Sequence, residues 1–230
     1  MIRTVLSVLG ILGLVCATGA QAQSTSERSS VTGSRFSKEK FNNVRDARST
    51  LSFFGRCVAT YRSDRIKDYL LNPVPAKIQD LITFPNSETH CVNGYAALKS
   101  GYREIRGSLS EAWYLRTFPD SPPAWFADDP AAAPSQEEVA KRIIEADVED
   151  RADVIVEEFA RCFAAIAPVE TDRVLRTPVA TKDERVAINR LAPNFGPCAF
   201  EGQKLSFDEA SLRSALAYAL AAHAARGKLS

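Results

Sequence analysis

Apolar residues recur along this chain at helical rather than extended spacing. Val44, Leu51, Phe54, Val58 and Tyr61 follow one another at steps of three, four and seven, the interval that lines side chains along one face of an α-helix. Val148, Ala152, Ile155, Phe159, Phe163 and Ile166 keep to steps of three and four. Ahead of them, Ser135 with Glu138 forms a capping-box pattern that starts the helical stretch earlier. Ser206 with Glu209 repeats that pattern before a last stripe of Leu212, Leu216, Ala219 and Leu220, and Ile105, Leu109, Ala112 and Trp113 form a comparable stripe. Two shorter clusters, Ile78, Leu81, Ile82 and Phe84, and then Val186, Ile188 and Leu191, predict short helices followed by loops. Nothing alternates with period two for long enough to predict a sheet, so the expected fold is all-α.

The helical pattern occurs twice. Between Pro119 and Pro134, five prolines in sixteen residues exclude a continuous helix. Shifting the chain by 105 residues aligns Phe54, Arg56, Cys57, Ala59, Leu70, Pro73 and Val74 with Phe159, Arg161, Cys162, Ala164, Leu175, Pro178 and Val179. After a two-residue insertion the shift becomes 107, and Cys91, Leu98, Arg106, Leu109 and Ala112 align with Cys198, Leu205, Arg213, Leu216 and Ala219. Self-similarity at a fixed interval predicts a tandem duplication. The expected units are residues 44–118 and 135–227, joined by a proline-rich linker at 119–134.

The first residues read differently. Met1, Ile2 and Arg3 precede a run without charge from Thr4 to Ala17, and Ala20, Gln21 and Ala22 follow as a small-x-small cleavage site. That is the layout of a secretory signal peptide over residues 1–22. The apolar run is shorter than the roughly 20 residues of a membrane-spanning helix, and Val15 before Cys16 is too bulky for a lipidation site. Residues 23–43 are rich in Ser, Thr, Lys, Arg and Gly, and are expected to form a flexible leader. The expected location is periplasmic or secreted, with no membrane span after cleavage. No Asn-x-Ser/Thr sequon with a permissive middle residue is present, which favours a bacterial periplasm over a eukaryotic secretory route.

Composition narrows the chemistry further. Lysine plus arginine number 29 and aspartate plus glutamate 28, so the chain lacks the basic excess of nucleic-acid binders, and removal of Arg3 with the signal leaves zero net charge. Four cysteines remain after residue 22, with three ways to pair. The duplication selects Cys57 with Cys91 and Cys162 with Cys198, each closing a loop worth about 3–4 kcal/mol in the chain-entropy picture. No C-x-x-C occurs, which argues against zinc, and an even cysteine count in an exported chain argues against a catalytic thiol.

The remaining candidates are weak as chemistry. Glu88 and His90 stand beside Cys91, yet a serine, a histidine and a carboxylate adjacent in sequence do not make a converging triad. The acidic run Glu145, Asp147, Glu149, Asp150 and Asp153 lacks the calcium-loop pattern and reads as a solvated helix face. His223 falls at the rim of the last helical stripe. Arg106 and Arg213 occupy matching places, and either tie helices to carboxylates or helix ends or line an anion site. Trp113, Tyr114, Phe118, Trp125 and Phe126 gather within fourteen residues. Buried, they pin the linker; exposed, Trp113, Tyr114, Trp125 and Phe126 would form a binding patch. The expectation is an exported, non-enzymatic binding or interaction module of the bacterial cell envelope, with no cofactor and no metal, whose partner is an envelope protein or a small ligand. The alternatives are a small hydrolase or lyase using Glu88 and His90, and a helical pocket for an apolar ligand.

Overall fold

The protein was analysed as a computed structural model that describes residues 44–83, 91, 100–127, 134–199 and 207–227. The signal segment, the leader, Phe84, Glu88, His90 and Ser206 lie outside the described residues. Within them the chain is all-helical: α1 Val44–Leu71, α2 Pro75–Ile82, α3 Tyr102–Thr117, α4 Gln136–Glu145, α5 Arg151–Ile166, α6 Pro168–Leu175, α7 Lys182–Leu191 and α8 Glu209–Arg226. Short 3-10 turns occupy Ala124–Ala127, Ala192–Asn194 and Gly196–Cys198.

The apolar stripes decide the packing. Phe54, Val58 and Ile66 of α1 are buried with Ile105, Leu109 and Trp113 of α3, while Phe159 and Phe163 of α5 are buried with Leu212, Leu216 and Leu220 of α8. Helix α3 packs on both α1 and α8, and α8 packs in turn on α5, so the four long helices succeed one another as α1, α3, α8, α5. At the centre of this row Gly107 faces Ser214: a Cβ on residue 107 would lie 2.5 Å from the serine Cβ. Only glycine allows that approach. Helix α1 changes direction at Arg62 (φ −134°, ψ 31°), whose guanidinium donates to the Asp80 and Leu81 carbonyls at the end of α2. A second break, at Ala167 (φ −136°, ψ 53°), separates α5 from α6, and Pro168 begins the new helix.

Two disulfides fasten long helices to the segments that follow the short ones. Cys57 pairs with Cys91 and Cys162 with Cys198, with Cα–Cα distances of 5.4 and 5.7 Å. No described helix is long and apolar enough to cross a membrane.

Two local expectations need correction. The helical stretch from Ser135 does not run on into the cysteine-bearing helix. Helix α4, opened by the full Ser135–Glu138 capping box, ends at Ala146 in an extended conformation, and a turn closed on the Asp147 carbonyl leads into α5. Val148 therefore stands 76% exposed instead of joining the stripe, and the acidic run lies largely on this turn instead of a helix face. Helix α8 is capped by Asp208, not Ser206, because the Asp208 carboxylate accepts from the Ala210 and Ser211 amides.

For the aromatics, the buried reading is the one found. Trp113, Tyr114 and Phe126 are buried and Trp125 is partly so, because together they pin the strap that follows α3. Phe126 lies parallel to Tyr114 at 6.4 Å, meets Trp125 edge-on at 4.8 Å, and His223 of α8 packs against both Trp125 and Phe126. Arg176 finishes the job. It holds Asp172 through Nε and Nη2 and donates to the Phe118 and Pro119 carbonyls, while Tyr114 donates its hydroxyl to the same aspartate. These rings form packing, so the candidate patch is not presented to solvent.

Candidate functional site

Polar chemistry concentrates where α3 crosses α8, and both arginines singled out by the sequence lie there. Two cavities adjoin the crossing, one bounded by α1 and the other by α5.

On the α1 side the space is about 50 Å³, and Arg213 fills its surroundings. Its Nε and Nη2 grip the Glu111 carboxylate at 2.8 and 2.7 Å. Nη1 donates to Val174 O, Thr177 Oγ1 and Glu184 Oε1, and Nη2 also reaches the Leu175 and Thr177 carbonyls. The guanidinium thus satisfies carbonyls left open at the end of α6 as well as two carboxylates. Glu184, fully buried, further accepts from Arg48 at 2.5 Å and from the Ala180 amide at 2.6 Å. Ala180 sits at φ 60°, a left-handed conformation unusual for a residue with a Cβ. Burial opposes the charge on Arg213, and Glu111 and Glu184 outweigh it, so its pKa stays above the ordinary arginine value.

On the α5 side lies an open cleft of about 360 Å³. Arg103 spans Asp150 and Glu157 at 3.8 and 3.2 Å and also pairs with Asp153. Arg106 is buried; its Nη2 meets Glu157 at 2.5 Å, and its guanidinium lies 4.0 Å from the ring centre of Tyr218 and 5.2 Å from that of Tyr102. The Tyr102 hydroxyl contacts that of Tyr69 at 2.5 Å. Burial lowers the Arg106 pKa, but Glu157 more than compensates, and the net direction is upward. Its buried Nε–H has no hydrogen-bond acceptor among the described residues. The floor is apolar, with Val156, Phe207 and Ala215.

Two helix N-termini reach this cleft. Gly101 opens α3 without a side-chain cap, whereas Asp208 caps α8 and takes a further hydrogen bond from the Ser211 hydroxyl. Burial raises the Asp208 pKa, but the Ser211 hydroxyl and the Ser211 and Ala210 amides lower it more, so it lies below the usual aspartate value. Its contribution to stability is complete above the unfolded carboxylate range and disappears as pH falls through the folded pKa. Asp208→Ala is expected to cost about 1 kcal/mol at neutral pH and almost nothing in strong acid. Urea denaturation of both proteins at the two pH values measures the difference.

The other arginine pair aligned by the 105-residue shift does not converge on the crossing. Arg56 is exposed and donates to Ser52, and Arg161 pairs with Glu158 of its own helix. Among the described residues no group of three His, Cys, Asp or Glu side chains is arranged to hold a metal. Sequence reasoning missed Arg48, Arg103, Glu111, Glu157 and Glu184, because their partners are distant in sequence: 102 residues separate Glu111 from Arg213 and 51 separate Arg106 from Glu157. The one local signal was Thr181 three residues before Glu184, and Thr181 Oγ1 does cap α7.

No protein-family model, curated protein or solved structure matches this chain.

Proposed function

We propose that this is an exported, non-enzymatic binding module of the bacterial cell envelope, built by tandem duplication, which holds a small ligand in the cleft between α3, α5 and α8. The cleft carries this reading. Its volume of about 360 Å³ falls within the range of small-molecule sites, and a buried arginine with an unused donor lines it.

Export is supported by the signal-like first 22 residues and by two disulfides, which persist in oxidising compartments. Duplication is supported by intervals that recur in backbone and cross-links alike. The breaks at Arg62 and Ala167 are 105 residues apart and share nearly the same φ. The starts of α2 and α7, and of α3 and α8, are each 107 apart, a spacing that supports a two-residue insertion at Ala180 and Thr181. Gly107 meets Ser214, the residue 107 positions on; equivalent residues meet in this way on a two-fold axis.

Native mass spectrometry of protein recovered from its host's envelope, with and without denaturant, tests the proposal. The expected mass is that of residues 23–230 less four hydrogens, with a small adduct that denaturation releases. A chain that retains its first 22 residues contradicts export, and a bare chain at every preparation contradicts the bound ligand.

A further inference from the structure

The two disulfides stand at matching positions, Cys57 and Cys162 aligned by the 105-residue shift and Cys91 and Cys198 by the 107-residue shift, but their surroundings differ. Cys162 and Cys198 are 6% and 0% exposed and Cys91 is 9% exposed, whereas Cys57 is only partly buried.

The second bridge is enclosed. Helix α4 packs on α5 through the buried Val139 and Ile143, and its Arg142 reaches Glu158, one turn before Cys162. Glu158 is itself fully buried and also holds Arg161, the residue before the cysteine. Phe195, three residues before Cys198, meets Phe159 edge-on at 4.9 Å and Phe163 at 5.4 Å, and Phe207 meets Phe159 at 4.8 Å.

Different residues surround the first bridge. Phe53 stands at the position of Glu158, and Tyr61 lies one turn beyond Cys57; both are 58% exposed, so the neighbours of Cys57 on its own face of α1 reach solvent on either side of it. Arg56, the counterpart of Arg161, is exposed and donates to Ser52, with no carboxylate partner among the described residues. The positions of Phe195 and Phe207 are held by Glu88 and Ser100.

Thiol–disulfide exchange requires an anionic thiolate to reach one sulfur, so access and local charge set its rate. A bridge closed off at Cys198 and bordered by α4 and an aromatic cluster denies that access. One whose Cys57 lies between exposed side chains, beside an arginine not tied to a carboxylate, permits it. We infer that the two bridges differ in role: Cys162–Cys198 is permanent, and Cys57–Cys91 is a thiol-exchange site that an external dithiol opens while the chain stays folded. The attacking thiolate bonds to Sγ of Cys57, the more exposed partner; the Cys57–Cys91 bond breaks with its electron pair going to Cys91, which takes a proton from water. The second thiol of the reductant, as thiolate, then displaces Cys57 from the mixed disulfide, and Cys57 is protonated in turn. The dithiol gives up two electrons and two protons and becomes a disulfide, and the protein gains two thiols. Opening unties the connection between α2 and α3 from α1 and leaves the second copy cross-linked. No ligand in the cleft is required.

Brief exposure of the oxidised, natively purified protein to dithiothreitol without denaturant, quenched with N-ethylmaleimide, tests this. The bridges that remain are then reduced in urea and labelled with iodoacetamide, and the peptides are mapped by mass spectrometry. Cys57 and Cys91 are expected to take the first label about tenfold or more faster than Cys162 and Cys198, with far-ultraviolet circular dichroism unchanged. With reduced glutathione in place of dithiothreitol, the trapped mixed disulfide is expected on Cys57. Equal rates at the two bridges, the opposite order, labelling that proceeds only in step with loss of helix, no reduction at all, or a glutathione adduct on Cys91 would each overturn the inference.

Discussion

Arg213→Met is expected to lower the stability of the folded chain by about 3–5 kcal/mol, the usual cost of removing one partner from a buried ion pair. The size follows from what is left behind. Glu184 is fully buried and would retain Arg48 and the Ala180 amide, while Glu111 would lose its bidentate partner altogether. The Leu175 and Thr177 carbonyls at the end of α6 would lose a donor as well, while that of Val174 would keep the Thr177 amide and hydroxyl. Equilibrium urea denaturation at neutral pH reads the loss directly. A loss below about 1 kcal/mol, the value of an exposed pair, would mean that water reaches this network. Adding Glu111→Gln to Arg213→Met separates two causes: if stranded charge dominates, the double variant is more stable than the single one.

Breaking the second disulfide should cost about as much. Cys162 and Cys198 enclose 36 residues, for which chain entropy gives about 4 kcal/mol. Cys162→Ala with Cys198→Ala is expected to lower the midpoint of urea denaturation by that equivalent, and reductant, which opens both bridges, should lower that of the unmodified protein further. Cys57 and Cys91 enclose 34 residues, so the same treatment there should give nearly the same loss. Comparable losses at the two sites would support the entropic account; strongly unequal ones would locate the effect in packing, since Cys198 is fully buried whereas Cys57 is not.

The elements with a local cause were legible in the sequence. Helical periodicity located α1, α5 and the two central helices, and paired cysteines in a repeated pattern gave the cross-links. Misreadings arose where a local pattern met a stronger competitor. Val148 continued the stripe by spacing, but the turn around Asp147 ends one helix and aims the next elsewhere. Ser206 matched a capping box, yet Asp208 stands immediately before the first turn and its carboxylate accepts the Ala210 and Ser211 amides. The cleft was not legible at all. Arg106 and Arg213 stood out as a matched pair, but matching says nothing of partners. That one guanidinium meets Glu111 and the other a tyrosine ring depends on how α3 and α8 cross. That crossing is set by the close approach of Gly107 and Ser214, a contact between small residues that no hydropathy pattern marks.

The disposition of the cross-links has a consequence for the molecule as a whole. Both bridges close within one side of the strap, joining 57 to 91 and 162 to 198, so the backbone at 119–134 is the sole covalent tie between the sides. A single cut there would turn one molecule into two fragments held by the α3–α8 seam and the contact of α1 with α8. Their association would then depend on dilution, which it does not while the strap keeps each fragment at a fixed effective concentration near the other. The aromatic clamp around Phe126, with Arg176 on the Phe118 and Pro119 carbonyls, thereby anchors the first part of the one stretch whose integrity makes folding independent of protein concentration.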